Sequence, residues 1–247
     1  MRFYWRGKDS SLAGYSDWLD HIDPKNRQPG TSAPTLALVW SGPLDVLGAL
    51  GARPEFAGLS VQSVTVEARA TFDTHGGNVR NHDLVLRATT PAGESVIVCA
   101  EAKAGEELGA TVLKQRVQAS DALAKNPRSK ALQRLDDLLQ RFHLPDDAQT
   151  DALQYQLLTA WAGMLADAEG HDHAVFALHE FRTDQRPDEK TTHNREALDH
   201  FAGAVLGCKL PERTAPWCLR VPDFDGVAAK LYVAHVMTDL RSARVVN

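Results

Sequence analysis

The sequence predicts an α/β layer fold around one β-sheet, on three observations. Helix-patterned segments open the chain, strand-patterned segments fill its middle, and helices return after Gly105 with further strands late. Residues 1–60 read as a helical N-terminal part: a segment around Ser11 to Ile22, a Pro- and Gly-bearing linker, then Leu36 to Trp40 and Leu44 to Leu50. Pro43 suits the first turn of that last helix. From Val61 the period changes to two. Val64, Val66, Ala68, Ala70 and Phe72 alternate with Thr65, Glu67, Arg69 and Thr71, the pattern of a half-buried strand. His75-Gly76-Gly77 marks a turn, a second strand runs from Arg80 to Ala88, Pro91-Ala92-Gly93 turns the chain again, and Ser95 to Lys103 is a third strand. Residues 61–104 are therefore expected to form an antiparallel meander. Within residues 105–247, helices are expected near Thr111 to Ala124, Lys130 to Phe142, Asp151 to Ala168 and Glu189 to Leu206, and strands at Ala174 to Phe181 and Lys230 to Met237. No repeat, low-complexity tract or composition break divides the chain, so residues 1–247 read as a single domain.

The chain has 247 residues, 43% hydrophobic and 24% charged, enough to bury a substantial core. No apolar run approaches the roughly 20 residues that span a bilayer, and the opening MRFYWRGKDS lacks the apolar stretch of a secretory signal. A cytoplasmic protein with no membrane partner is expected. Three cysteines, Cys99, Cys208 and Cys218, have no paired metal-ligand spacing and suggest reduced thiols. A net charge of -5 argues against a protein that coats duplexes, because that affinity comes from neutralising phosphates. It leaves a nuclease open. Lys114, Arg116, Lys125, Arg128, Lys130, Arg134 and Arg141 either gather on one basic face or form an ordinary solvated helical surface.

The chemistry concentrates in the meander. In a hairpin turning on Ala92, Asp83 lies opposite Glu101, and directly opposed residues have β-carbons about 4.5 to 5.5 Å apart. Two carboxylates at that separation repel each other unless something positive joins them. Lys103, two residues beyond Glu101, projects from the same face of its strand. Glu67 has the parity to join them if the Gly76-Gly77 turn pairs the first strand with the second near Asp83. Hard oxygen ligands on a rigid sheet suit Mg²⁺, with Mn²⁺ as a substitute, and the chemistry implied is phosphodiester hydrolysis. A buried salt bridge between Lys103 and either acid satisfies the same geometry. Arg80 and Asn81 precede Asp83 and either meet a phosphate or line the entrance of the strand.

The run Asn81-His82-Asp83-Leu84-Val85-Leu86, followed after a turn by Val96-Ile97-Val98-Cys99-Ala100-Glu101-Ala102-Lys103, resembles the D...ExK core of the PD-(D/E)XK nuclease superfamily. It is most similar to a bacterial restriction-endonuclease-like group with an acid in the preceding strand, a Gly-rich turn, a Gly-bearing loop after ExK, and a later Tyr-Gln-Leu-Leu. Here these are Glu67, Gly76-Gly77, Gly105 to Gly109, and Tyr155-Gln156-Leu157-Leu158. The resemblance implies a restriction-endonuclease-like three-layer fold, a central mixed β-sheet flanked by helices. It further implies that Asp83 and Glu101 bind metal, that Glu67 is an additional acid, and that Lys103 is the catalytic lysine. Tyr155 and Gln156 would approach the substrate or pack the helix. His82 replaces the proline of the superfamily's name.

The function expected is therefore a Mg²⁺-dependent DNA endonuclease that leaves a 5′-phosphate and is able to act as a homodimer. A nuclease-like fold that only binds, and a hydrolase of a small phosphate ester, are the alternatives. His171-Asp172-His173 reads as a solvated polar loop rather than a ligand set, and His179 as a hydrogen-bonded strand residue. Neither a phosphate-cradling loop nor a dinucleotide fingerprint is present.

Overall fold

A computed structural model describes residues 2–5, 11–12, 14–24, 27–28, 30–40, 45–75, 80–184, 189–212 and 214–241. The expected turn at Gly76-Gly77 and the placement of Pro43 lie outside the described residues. The elements run β1 (Arg2–Trp5), β2 (Ser11–Leu12), α1 (Tyr15–His21), α2 (Ser32–Trp40), α3 (Asp45–Gly51), β3 (Ser60–Ala70), β4 (Arg80–Thr89) and β5 (Ser95–Lys103). Then follow α4 (Val112–Lys125), α5 (Ala131–Arg141), α6 (Ala148–Ala152), α7 (Tyr155–Asp167), β6 (His173–Arg182), α8 (Glu189–Val205), β7 (Trp217–Arg220) and β8 (Lys230–Asp239).

Among the described residues the strands form one mixed sheet in the order β2-β1-β3-β4-β5-β6-β8-β7. β3, β4 and β5 are the antiparallel meander, and β5, β6 and β8 run parallel. Parallel neighbours need crossovers, which α4 to α7 and then α8 supply. This explains the composition of the central strands. β5 and β6 are covered on both faces and carry nearly unbroken apolar runs, Val96 to Ala100 and Ala174 to Leu178, all buried.

Helices lie on both sides of the sheet. On one side Trp18, Trp40, Val46, Leu50 and Phe56 pack against Val64, Val66, Leu84, Leu86, Val98 and Ala100. On the other, Leu135, Leu157, Trp161 and Phe201 pack against Val85, Ile97, Cys99, Phe176 and Val233. The molecule is thus an α/β protein with a mixed sheet between two helical layers. Among the described residues no helix is long and apolar enough to cross a membrane.

Three differences from the sequence expectation have physical causes. The first 60 residues are not only helical, because Phe3 to Trp5 pair in parallel with Val64 to Val66 and Leu12 pairs with Phe3. The helix expected over Asp151 to Ala168 is broken at Leu153-Gln154, where Leu153 O accepts Val112 N–H and Tyr155 N–H donates to Ala110 O. Pairing with the chain before α4 wins there over continued helix. The loop expected at His171-Asp172-His173 holds for its first two residues, Asp172 being exposed, but His173 is a buried strand residue bonded to Tyr232 and Glu94, because β6 begins there.

β3 also changes faces midway. Val64 and Val66 point to the α1–α3 side, whereas Ala68 belongs to the α7 side. The switch falls on Glu67, whose φ of 50° is rare for a side chain with a Cβ. Its neighbour β4 does the same at Asp83. Leu84 faces the α1–α3 side and Val85 the α7 side, yet His82 lies against Gly163 of α7. The β3–β4 ladder accordingly pairs Val66 with Leu84 and Ala68 with His82 and skips the residues between. Backbone strain of this kind gathers at functional sites.

Candidate functional site

The hairpin register places Leu84 opposite Ala100, the last pair of the β4–β5 ladder. Beyond it β5 continues beside β6 as far as Lys103, while β4 turns away. Asp83 occupies the gap. Its side chain crosses toward β5, and Oδ2 accepts the Ala102 N–H at 2.7 Å, taking the place of the next backbone bond. Asp83 thus meets Glu101 from the side of the sheet instead of projecting in parallel with it.

Glu101 is buried, with 1% of its surface exposed, and both oxygens are engaged. Lys103 Nζ donates to Oε1 at 2.9 Å, Gln156 Nε2 donates to the same oxygen, and Arg80 Nη2 donates to Oε2. Lys103 is itself buried at 7%. Gln156 arrives because α7 starts at Tyr155, after the pairing of Thr111 with Gln154. Gly109 in the loop after β5 has φ +76°, a conformation that favours glycine, and faces Gln156. Tyr155 packs its ring on the core beneath, and burial raises its phenol.

Glu67 makes none of the hydrogen bonds to Glu101 described above. Its Oε2 accepts from Asn81 Nδ2 at 3.2 Å. Among the described residues Glu67, Asp83 and Glu101 do not bring three carboxylate oxygens within 4.8 Å of one another. The parity expected of Glu67 fails because β3 changes faces at that residue. The basic residues of α4 and α5 are partly neutralised: Arg116 pairs with Asp136, Asp146 and Asp151, and Arg134 with Asp73.

The acids divide electrically. Burial, reinforced by the negative charge of Glu101, pushes the Asp83 carboxyl up to about 7, against the pull of Lys103 and the Ala102 N–H. Burial also works against the charge on Glu101, but Lys103 and Arg80 overcome it and hold that carboxyl below its ordinary value. Burial opposes the Lys103 ammonium too, yet Glu101 and Asp83 keep its pKa raised. The cluster therefore favours an ionised Glu101 and a cationic Lys103, with the Asp83 carboxyl the one held toward its protonated form.

Sequence reasoning missed the acid on the next strand. Glu180 pairs in register with Lys103, and its carboxylate accepts from Asn194 Nδ2 at 3.0 Å and meets His235 Nε2 at 2.6 Å. Asn194 also takes the Leu108 N–H and donates to Glu106 O, which fixes the loop after β5. An acid ending a buried strand was the available signal. Its partners come from distant elements that no local pattern links. His179 behaves as expected. Trp40 Nε1–H donates to Nδ1, so Nε2–H donates to Thr238 Oγ1, and burial lowers the imidazole to about 3.

No curated protein and no solved structure matches the chain. A family model described as "Domain of unknown function (DUF6946)" matches residues 11–236, which takes in every strand from β2 to β7 and most of β8. The chain belongs to the DUF6946 family, whose span includes the whole Asp83, Glu101 and Lys103 cluster.

Proposed function

We propose that this chain is a Mg²⁺-dependent phosphodiester hydrolase of restriction-endonuclease-like fold that acts on DNA, with Mn²⁺ able to replace Mg²⁺. The observation that carries the reading is the meeting of Asp83 and Glu101 where β4 parts from β5, with Lys103 beside them. The donor set fits a hard divalent ion. Two carboxylates lie near enough for one to raise the other, and Asp83 Oδ1 has no protein partner among the described residues. Asp83 and Glu101 would hold the ion, which when bound supplies Lewis-acid polarisation of the scissile phosphoryl group.

The chain's own residues have separate tasks in this reading. Lys103 stays an ammonium, so it donates to the attacking water or a phosphate oxygen and offsets developing charge, but does not accept the water's proton. Arg80 is the counter-charge of Glu101 until a phosphate draws its guanidinium away. Gln156 holds the orientation of the Glu101 carboxylate from α7, and Asn81 holds Glu67. The test is incubation of the wild-type chain with duplex DNA, single-stranded DNA and RNA in the presence of Mn²⁺. Cleavage that leaves a 5′-phosphate is expected on DNA, and no cleavage of any of the three would sink the reading.

One observation favours a second reading, a nuclease-like module that binds without turnover. Both Glu101 oxygens are already taken by Arg80, Lys103 and Gln156. An ion at Glu101 would share its carboxylate with the Arg80 guanidinium and be repelled by it, so Arg80→Gln is expected to tighten Mn²⁺ binding by about tenfold, or ~1.4 kcal/mol. Calorimetry checks this, and an unchanged or weaker affinity places the ion away from Glu101.

A further inference from the structure

Behind the acidic cluster, His82, Cys99 and Asp167 bring an imidazole, a thiol and a carboxylate together, their donor atoms all within 4.8 Å of one another. They come from three elements: β4, β5 and the last residue of α7. The His82 ring is fully buried, and neither ring nitrogen makes a well-formed hydrogen bond, the Gly163 backbone being its one polar neighbour of that kind and a minor influence on the ring beside burial. Nε2 stands 3.6 Å from Asp167 Oδ2, too far for a hydrogen bond. A Cβ added at Gly163 of α7 would lie 2.9 Å from Nε2, so a glycine leaves the ring its room. Cys99 is a buried free thiol, and the Asp167 side chain, 23% exposed, opens the cluster to solvent on one side. A wholly buried imidazole with no well-formed hydrogen bond at either nitrogen is rare in native interiors, and a metal is one of the few partners that satisfies it.

We propose that His82, Cys99 and Asp167 bind one transition-metal ion of the Zn²⁺ type, with a water entering past Asp167 as the fourth ligand. The mixed nitrogen, sulfur and oxygen set suits a borderline-soft ion and disfavours Mg²⁺. Tetrahedral zinc places its ligands about 3.3 to 3.7 Å apart, so the donors need to close by about an ångström, within reach of side-chain rotation. Binding releases the thiol proton to solvent, and thiolate and carboxylate together balance the two positive charges of the ion. The assembly is then neutral, the form of a charged group that an interior accepts most readily. The ion ties together the three elements that carry the acidic cluster. His82 adjoins Asp83, Cys99 lies on the same face as Glu101 at about 6.6 Å along β5, and α7 carries Gln156. It uses none of the residues assigned to the hydrolase and stands whether or not that reading holds.

The test is titration with Co²⁺ under anaerobic conditions, followed by the near-ultraviolet thiolate-to-cobalt charge-transfer band. The Cys208→Ser/Cys218→Ser protein, in which Cys99 is the only remaining cysteine of three, is expected to bind one equivalent with that band, and Zn²⁺ to displace it. Asp167→Asn is expected to keep the band but weaken binding by more than about tenfold. Asp83→Asn should change neither, which separates this ion from the one proposed between Asp83 and Glu101. Should the double cysteine variant not fold, the otherwise wild-type chain and Cys99→Ala decide, with the band present in the first and absent in the second. Absence of the band in a folded protein that retains Cys99 would overturn the proposal. So would its survival in Cys99→Ala, its loss in Asp83→Asn, or an Asp167→Asn affinity within about twofold of the parent.

Discussion

Asp83→Asn is expected to abolish Mn²⁺-supported cleavage while making the metal-free protein more stable at pH 8. Loss of a charged ligand should lower the rate by at least about 10³-fold, equivalent to ~4 kcal/mol of barrier. The gain in stability follows from linkage. The Asp83 carboxyl is held up at about 7 in the folded chain against an ordinary value of 3.8, so between those pH values the folded state binds the extra proton. Stability then falls as pH rises through this window and levels off above the folded value. Asparagine removes that slope. Discounting the full shift for solvent that still reaches Asp83, the variant should gain about 2 kcal/mol at pH 8, or about 5 °C in melting temperature. Below pH 4 the two proteins should melt alike. A variant that still cuts within about tenfold of wild type, or that melts lower at pH 8, contradicts the role given to Asp83.

Glu101→Ala has the opposite sign for stability and the same sign for activity. It leaves the Lys103 ammonium and the Arg80 guanidinium together in a buried site without the carboxylate that both of them bond. Removing one member of a buried ionic group costs about 3–5 kcal/mol, chiefly because the charges left behind cannot be solvated. The Gln156 amide loses its acceptor as well. Urea denaturation should show this loss. Glu101→Ala combined with Lys103→Met should recover about half of it, since the larger part of the penalty is the stranded charge. Neither protein should cleave. A loss below about 1 kcal/mol in the single variant would mean that solvent reaches the cluster and that its ions are not truly buried.

The hairpin that carries the acids was legible because two constraints agree there. Pro91-Ala92-Gly93 fixes a tight turn, with Gly93 at φ +86°, which sets the register, and the apolar run of β5 marks a strand buried on both faces from which charged residues emerge. Leu84 opposite Ala100 is the register counted from Ala92, and it brings Asp83 beside Glu101. The alternation that worked for Val64 and Val66 failed at Glu67, because a left-handed backbone residue resets the faces and no side-chain pattern announces it. β1 escaped notice for a different reason. Four residues have too short a period to read, and their partners lie 61 positions away in β3. β7 is equally short and pairs only with β8. Helix pattern predicted α7 but not its start, which is set by the contact of Gln154 with Thr111. That start is what aims Gln156 at Glu101. The local part of the site was therefore readable from spacing, whereas the groups that hold it in place come from tertiary contacts.

Calorimetric titration of metal-free protein with Mn²⁺, run on wild type and Asp83→Asn, tests the cation site most directly. The account predicts saturable binding in wild type that is lost in Asp83→Asn. Saturable binding of equal affinity in both proteins, or none in wild type, would contradict it.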